Sequence, residues 1–260
     1  MTTYEVEERL KESDIAVLCV GAIEQHGPAL PLDTDAFNCY EVAKLGCEKV
    51  ADDVKPVLLP PIWTGFSWHH MDFPGSITLK ESTLIDVIVE VCKSLIHHGF
   101  KKIVILQGHG GNKGVIRSAR YRLKIETDAF VVATSSGALA RVAGIELPGK
   151  PEYHAGFSEL STYLYLSEDA KVDKKLKEIP NMVLPEYFDV YGGRSRADIA
   201  IRFREWTESG AWGDSLEASK EAGERIVNAA SEGLAVFLRK LKDTPMDKLL
   251  PPMAKKKFTF

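Results

Sequence analysis

Ile15-Ala16-Val17-Leu18-Cys19-Val20 is an unbroken apolar run, and Gly21-Ala22-Ile23-Glu24-Gln25-His26-Gly27-Pro28-Ala29-Leu30-Pro31-Leu32-Asp33-Thr34-Asp35 follows it directly. The run reads as a buried strand. The segment behind it gathers two carboxylates and an imidazole, Glu24, His26 and Asp35, into a loop punctuated by Gly and Pro at the strand's C-terminal end. In open α/β sheets that is where ligands bind. Packing is a poor reason for these residues, because charged groups are rarely buried unless they are paired or coordinated.

Working outward, three more apolar runs, 54–59, 102–106 and 130–134, have the same strand character. Helical spacing separates them. Residues 35–50 carry apolar side chains at that spacing. Residues 81–98 put Leu84, Val87, Ile88, Val91 and Leu95 on one stripe, with Ser82 near its start and Gly99 just past its end. Residues 113–126 are amphipathic and basic, and 216–241 read as one long amphipathic helix. Strands alternating with helices predict an α/β fold with a mostly parallel central sheet covered on both faces. The C-terminal third is less regular. Residues 167–177 are polar and charged, 180–210 hold Gly192-Gly193 in their middle, and the tail from Pro251 to Phe260 is basic. No repeat or low-complexity linker divides the chain, so residues 1–260 read as a single domain with an elaborated C-terminal part.

The 260 residues are 45% hydrophobic and 27% charged, an ordinary globular composition. A formal net charge of -4 leaves no basic footprint for nucleic acid or an anionic membrane. No apolar run approaches the roughly 20 residues of a membrane span. The first residues, Met1 to Glu8, lack the basic and apolar regions of a signal peptide, so the expected location is cytoplasmic. Cys19, Cys39, Cys47 and Cys92 form no closely spaced metal pair and read as free thiols.

Two further segments carry chemistry. Gln107-Gly108-His109-Gly110-Gly111-Asn112 ends the third strand and presents one His between glycines. It matches neither the Gly-x-Gly-x-x-Gly nor the Gly-Lys-Ser/Thr phosphate pattern. His109 is therefore a ligand or a structural turn residue. His154-Ala155-Gly156-Phe157-Ser158-Glu159 sets a carboxylate five positions after a His. Glu159 either joins the site or only favours the start of a helix. Glu24, His26, Asp35, His109 and Glu159 make a mixed His and carboxylate set without thiolate, which suits Zn, Mn or Fe. Five ligands exceed the needs of one catalytic zinc. They fit two divalent metal ions sharing a bridging carboxylate, for which Asp35 is the natural choice, and a water. His154 is then free for proton transfer.

These motifs resemble the creatininase (creatinine amidohydrolase) family. The resemblance rests on Glu24-Gln25-His26-Gly27-Pro28 with Leu30-Pro31-Leu32 and Thr34-Asp35, on Gly108-His109-Gly110-Gly111-Asn112, and on His154-Ala155-Gly156 with Glu159. Gly65-Phe66-Ser67 through His70-Met71-Asp72-Phe73-Pro74-Gly75-Ser76-Ile77 and Gly213-Asp214 agree. The resemblance implies a three-layer α/β/α sandwich, a binuclear metal centre, hydrolysis of a C–N bond in a small cyclic or amide-bearing substrate, and a homo-oligomer, with a hexamer favoured. It further implies that Glu24, Asp35 and His109 hold one metal, that His26, Asp35 and Glu159 hold the other, and that His154 is the acid/base. Gln107 stands where the family usually has Asn, Phe157 where it often has an acid, and Leu160 where it often has Thr. Creatininase itself carries a carboxylate in the segment that here is Gly110-Gly111. These departures bear on the substrate rather than on the metal ligands. The family also includes formamide hydrolases, peptidases that trim a modified peptide, and a dehydro-inositol hydrolase that opens a ring C–C bond. Ring opening of that kind is therefore an alternative reading, as is a non-catalytic metal- or ligand-binding protein on this scaffold. Trp63, Trp68 and His70, near the Phe73-Pro74-Gly75 turn, are expected either to wall the substrate pocket or to meet a neighbouring subunit. Phe157 is assigned to the same pocket, and one of Arg194, Arg196, Arg202 and Arg204 is a candidate clamp for an anionic group.

Overall fold

Strand β1 (Ile15–Val20) is buried at every position. The reason lies on its two flanks and its two faces. It sits inside a four-stranded parallel sheet of order β2-β1-β3-β4, with β2 (Val57–Leu58), β3 (Lys102–Gln107) and β4 (Phe130–Ser135). In its register with β3, Ile15 pairs with Lys102 and Val20 with Gln107. Successive side chains then alternate between faces. Ile15, Val17 and Cys19, with Val104 and Leu106, face helices α2 (Thr34–Glu48) and α7 (Lys220–Asp243), meeting Ala43, Leu234 and Leu238. Leu18, Val20, Ile103 and Ile105 face helices α3 (Glu81–His97) and α4 (Asn112–Glu126), meeting Leu84, Ile88, Ile116 and Leu123. The result is the three-layer α/β/α sandwich with a parallel centre. The computed structural model describes residues 1–142, 152–168, 172, 174–178, 188–189, 197–198 and 200–250.

Helix α7 joins the C-terminal part to the sheet. It packs on α2, on α5 (Ser136–Val142) and on α6 (Phe157–Leu166). Ser219 caps it, its hydroxyl accepting the Ala222 N–H at 3.1 Å. Its far end is capped by β3. Lys102, 6% exposed, donates from Nζ to the carbonyls of Leu241, Lys242 and Thr244 at 2.8, 3.3 and 3.0 Å. A buried cation is satisfied there because a helix C-terminus offers unpaired carbonyls and a negative dipole end.

The structure adjusts several expected boundaries. The run at 54–59 yields only two strand residues. Lys55 adopts a positive φ of 57° and Pro56 follows, so Val54 closes the turn after α2 instead of entering the sheet. The long helix starts at Lys220, not at 216, because the Ser219 cap sets its first turn, and Leu216 stays exposed. Ser82 does not cap α3, whose N-cap position is Lys80. A polar helix not anticipated from the apolar pattern, α1 (Thr3–Glu12), precedes β1. It buries no residue and is set by a Thr2/Glu5 capping box. Among the described residues, four two-residue strands follow α6. Of these, β5 (Lys177–Glu178) pairs antiparallel with β8 (Gly213–Asp214), and β6 (Phe188–Asp189) runs parallel to β7 (Ala197–Asp198). The four cysteines are free. Among the described residues no helix is long and apolar enough to cross a membrane. Gly192-Gly193, Arg194, Arg196 and the 251–260 tail lie outside the described residues.

Candidate metal centre

The parallel sheet delivers the chemistry-bearing segments to one end. Beyond β1, the Glu24 N–H donates to Leu32 O at 2.9 Å and closes the loop that carries Glu24 and His26. That loop runs into α2, whose first turn holds Asp35. Beyond β3, the loop before α4 holds His109. His154 and Glu159 come from the start of α6. Residues 154 and 212 exchange backbone hydrogen bonds at 3.0 and 2.8 Å, which fixes the His154 segment against the C-terminal part. Asn112, fully buried, ties three of these loops together. Its Oδ1 accepts the Phe66 N–H at 2.9 Å, and its Nδ2 donates to Gly21 O at 2.9 Å and Val20 O at 3.4 Å.

The side chains converge. Asp35 turns Oδ1 toward His26 Nε2 at 3.3 Å and Oδ2 toward His109 Nδ1 at 3.1 Å. Glu24 Oε2 lies 3.2 Å from His109 Nε2. Glu159 Oε2 lies 4.0 Å from His26 Nε2 and also accepts the Ala155 N–H at 2.6 Å. Among the described residues, three combinations bring ligand atoms within 4.8 Å of one another: Glu24, Asp35 and His109; His26, Asp35 and Glu159; and Glu24, His26 and His154. The first two share Asp35. The third gives His154 a competing role as a ligand.

Hydrogen bonds assign the imidazole nitrogens. His26 Nδ1 donates to Glu24 O at 3.0 Å, which leaves Nε2 facing Asp35 for a proton or a metal. His109 Nε2 donates to Phe66 O at 3.1 Å and leaves Nδ1 toward Asp35. His154 Nε2 donates to Gln25 O at 2.6 Å and leaves Nδ1 facing Glu24 Oε1 at 3.8 Å. A carbonyl orienting each His through its other nitrogen is the usual support of a metal-binding imidazole. The donor set also has unmet needs. Among the described residues, both Glu24 oxygens, His26 Nε2 and Asp35 Oδ2 are buried and find no hydrogen-bond partner. Buried carboxylate atoms of this kind call for cations.

Protons are the cations the chain itself can supply. Burial alone pushes His26 down, but Asp35, then Glu159 and Glu24, outweigh it and hold it at about 10. His109 is likewise raised well above its ordinary value, with Glu24 and Asp35 overcoming burial. Burial raises Asp35, yet His26 and His109 hold it well below the usual carboxylate range. Burial lifts Glu159 to about 7. Burial and the neighbouring His26 push His154 well below its ordinary value, so it is neutral. Metal ligation needs deprotonated imidazoles. Metal uptake is therefore expected to release protons from His26 and His109. Each proton displaced should strengthen apparent affinity by about tenfold per pH unit from about pH 6.5 to about 8.5. In the metal-free protein the same two protons stabilise the fold. Both contributions are full below the ordinary His value of 6.5; that of His26 is lost as pH rises through about 10, and that of His109 as pH rises through its own raised value. Affinity that is flat over that interval would contradict the assignment.

A cavity of about 400 Å³ opens beside the cluster, its lining including Asp35, Asn38, His109, Ser135, Glu152 and Glu159. His70 is turned away from it, 1% exposed, with Nε2 3.2 Å from Glu24 Oε1. Phe157 packs into the apolar cluster with Ala29, Leu30 and Ile226 and does not line the cavity. Trp68 is 46% exposed on the surface and also stands apart from the lining. Arg202 pairs with Asp72, and Arg204 lies 4.4 Å over the Phe73 ring. Gly111 explains one departure noted above. A Cβ there would collide with His109 Nε2 and the Phe66 carbonyl, so this backbone excludes any side chain. The sequence reading named every member of the cluster but gave Asn112 and Gln25 no role, since nothing local signals their cross-loop bonds.

Comparison with known proteins places this geometry in context. A family model described as Creatininase: Creatinine amidohydrolase matches residues 1–238. The chain is 36% identical over 111 residues to a 3-dehydro-scyllo-inosose hydrolase from Thermotoga maritima, which covers 42% of this chain and 34% of that protein. It is 32% identical over 219 residues to a mycofactocin precursor peptide peptidase from Mycolicibacterium smegmatis, covering 83% of this chain and 81% of the other. A solved structure titled "Creatininase Mn" superposes with a TM-score of 0.73 at 23% identity, covering 94% of this chain and 97% of that one.

Proposed function

Because the chain belongs to the creatininase family, we propose that it is a hydrolase of small molecules that works through two divalent metal ions. The observation that carries this reading is Asp35, one oxygen toward His26 and the other toward His109. Glu24, Asp35 and His109 would hold one ion, and His26, Asp35 and Glu159 the other. Zn, Mn or Fe suits this donor set. Such a pair supplies Lewis acidity and an acidified water.

The chain's own residues do the rest. Gln25 O holds His154 by Nε2, so Nδ1 is the atom that takes and returns a proton. Glu24, fully buried, and Asp35, 4% exposed, keep their charges out of bulk water, where their pull on cations is least screened. Asn38, Ser135 and Glu152 offer polar contacts for a substrate in the cavity. The favoured scissile bond is an amide C–N. Ring opening of a dehydro-inositol is a second reading, supported by the 36% identity with the inosose hydrolase. The test is a screen of Mn- and Zn-loaded protein, against chelated controls, over lactams, formamides and dehydro-inositols. Metal-dependent turnover of one class is expected, and no turnover in any class would leave the non-catalytic reading.

Assembly belongs to the same proposal. Trp63 and Trp68 are 55% and 46% exposed, and Leu32, Met71 and Ile77 are exposed as well. Exposed aromatics of this kind favour an interface, whereas Trp206 is buried against Trp212 and is not available for one. A homo-oligomer, hexameric by family resemblance, is expected, and a light-scattering mass near 28.8 kDa would contradict it.

A further inference from the structure

Glu24 is flanked by a side chain that belongs neither to the ligand set nor to the cavity. His70, 1% exposed, places Nε2 3.2 Å from Glu24 Oε1, the oxygen turned away from His109. The tautomer of His70 is set from behind by Gln25. The Gln25 Oε1 accepts the Gly27 N–H at 3.0 Å, which identifies the other end of the amide as the donor. That Nε2 donates to Gly210 O at 2.9 Å and to His70 Nδ1 at 2.6 Å. With Nδ1 accepting, the His70 proton sits on Nε2 and faces Glu24. Phe203, fully buried, stacks on the His70 ring at 4.2 Å and 28° and fixes its plane. Gly210, at a positive φ of 88°, leaves room for the Gln25 amide that a Cβ would take.

We propose that Gln25 and His70 form a relay that positions Glu24. The Gln25 amide fixes the His70 tautomer, and the His70 N–H, at ion-pair distance of 3.2 Å from Glu24 Oε1, attracts that oxygen so that the other is presented to the metal beside His109. His70 is thus a positioning residue. The relay also links that metal to the 203–212 segment through the Gly210 carbonyl and the Phe203 ring. This inference rests on the two-metal reading above.

The test measures metal affinity by chelator competition, alongside the thermal midpoint of the metal-free protein. His70→Phe keeps the stacked ring and removes both nitrogens. It is expected to weaken one of the two ions by about 10–100-fold, the range for lost support of a metal ligand, and to leave the other unchanged. His70→Gln returns a donor near the ε position and should recover part of that loss. Gln25→Leu should weaken the same ion less than His70→Phe does, and the double variant should be no worse than His70→Phe alone. Wild-type affinity in His70→Phe, additive effects of the two substitutions, or a His70→Gln protein as weak as His70→Phe would each overturn the relay. Should His70→Phe fail to fold, His70→Gln and Gln25→Leu decide the matter, and wild-type affinity in both would overturn it. A wild-type protein that takes up no metal would sink the two-metal reading beneath it. Two ions in the wild type with unaffected variants would sink the relay alone.

Discussion

Asp35→Ala is expected to lose both metals and to fall to background turnover. Asp35 is the member common to the two ligand groups of the proposed centre, and its oxygens divide between them. Removing it leaves Glu24 with His109 on one side and His26 with Glu159 on the other. Each group drops from three protein ligands to two, below what catalytic sites of this kind use. The loss is also electrostatic. Asp35 is 4% exposed, so no solvent replaces its charge between the two ions. His26→Ala and His109→Ala should behave differently, each first weakening one ion. Metal content after loading and dialysis separates the cases. An Asp35→Ala protein that still holds two ions would refute its bridging role.

His154→Ala should keep two metals and the fold while turnover falls by about 10²–10⁴-fold, the range for a lost general acid/base. His154 has the features that role requires. Its Nε2 is committed to Gln25 O, and burial beside His26 keeps the ring neutral, with the Nδ1 lone pair free. The competing arrangement is specific, because His154 also falls within ligand distance of Glu24 and His26. Metal content distinguishes the two roles independently of the substrate. A His154→Ala protein that retains one ion would make His154 a ligand.

The parts legible in the sequence were those whose reason is local. β1 and β3 announce themselves because burial on both faces demands unbroken apolar runs, and the stripe of α3 because one face meets the sheet. The apolar run at 54–59 exceeds β2 because hydrophobicity does not reveal the positive φ of Lys55 before Pro56. α1 leaves no apolar pattern because it buries nothing and is held by its cap. At the site, Glu24, His26, Asp35, His109, His154 and Glu159 stand out since their types are costly to bury. That they meet follows only from the parallel sheet bringing its loops to one end. Gln25, His70 and Asn112 act through bonds to residues 45 to 185 positions away, between 21 and 210, which no local pattern encodes.

The central claim is a pair of ions sharing Asp35. Anomalous diffraction from crystals of the metal-loaded wild-type protein tests it most directly. The account predicts two peaks per chain, about 3.5–4 Å apart, one among Glu24, Asp35 and His109 and the other among His26, Asp35 and Glu159. A single peak, or one seated among Glu24, His26 and His154, would contradict it.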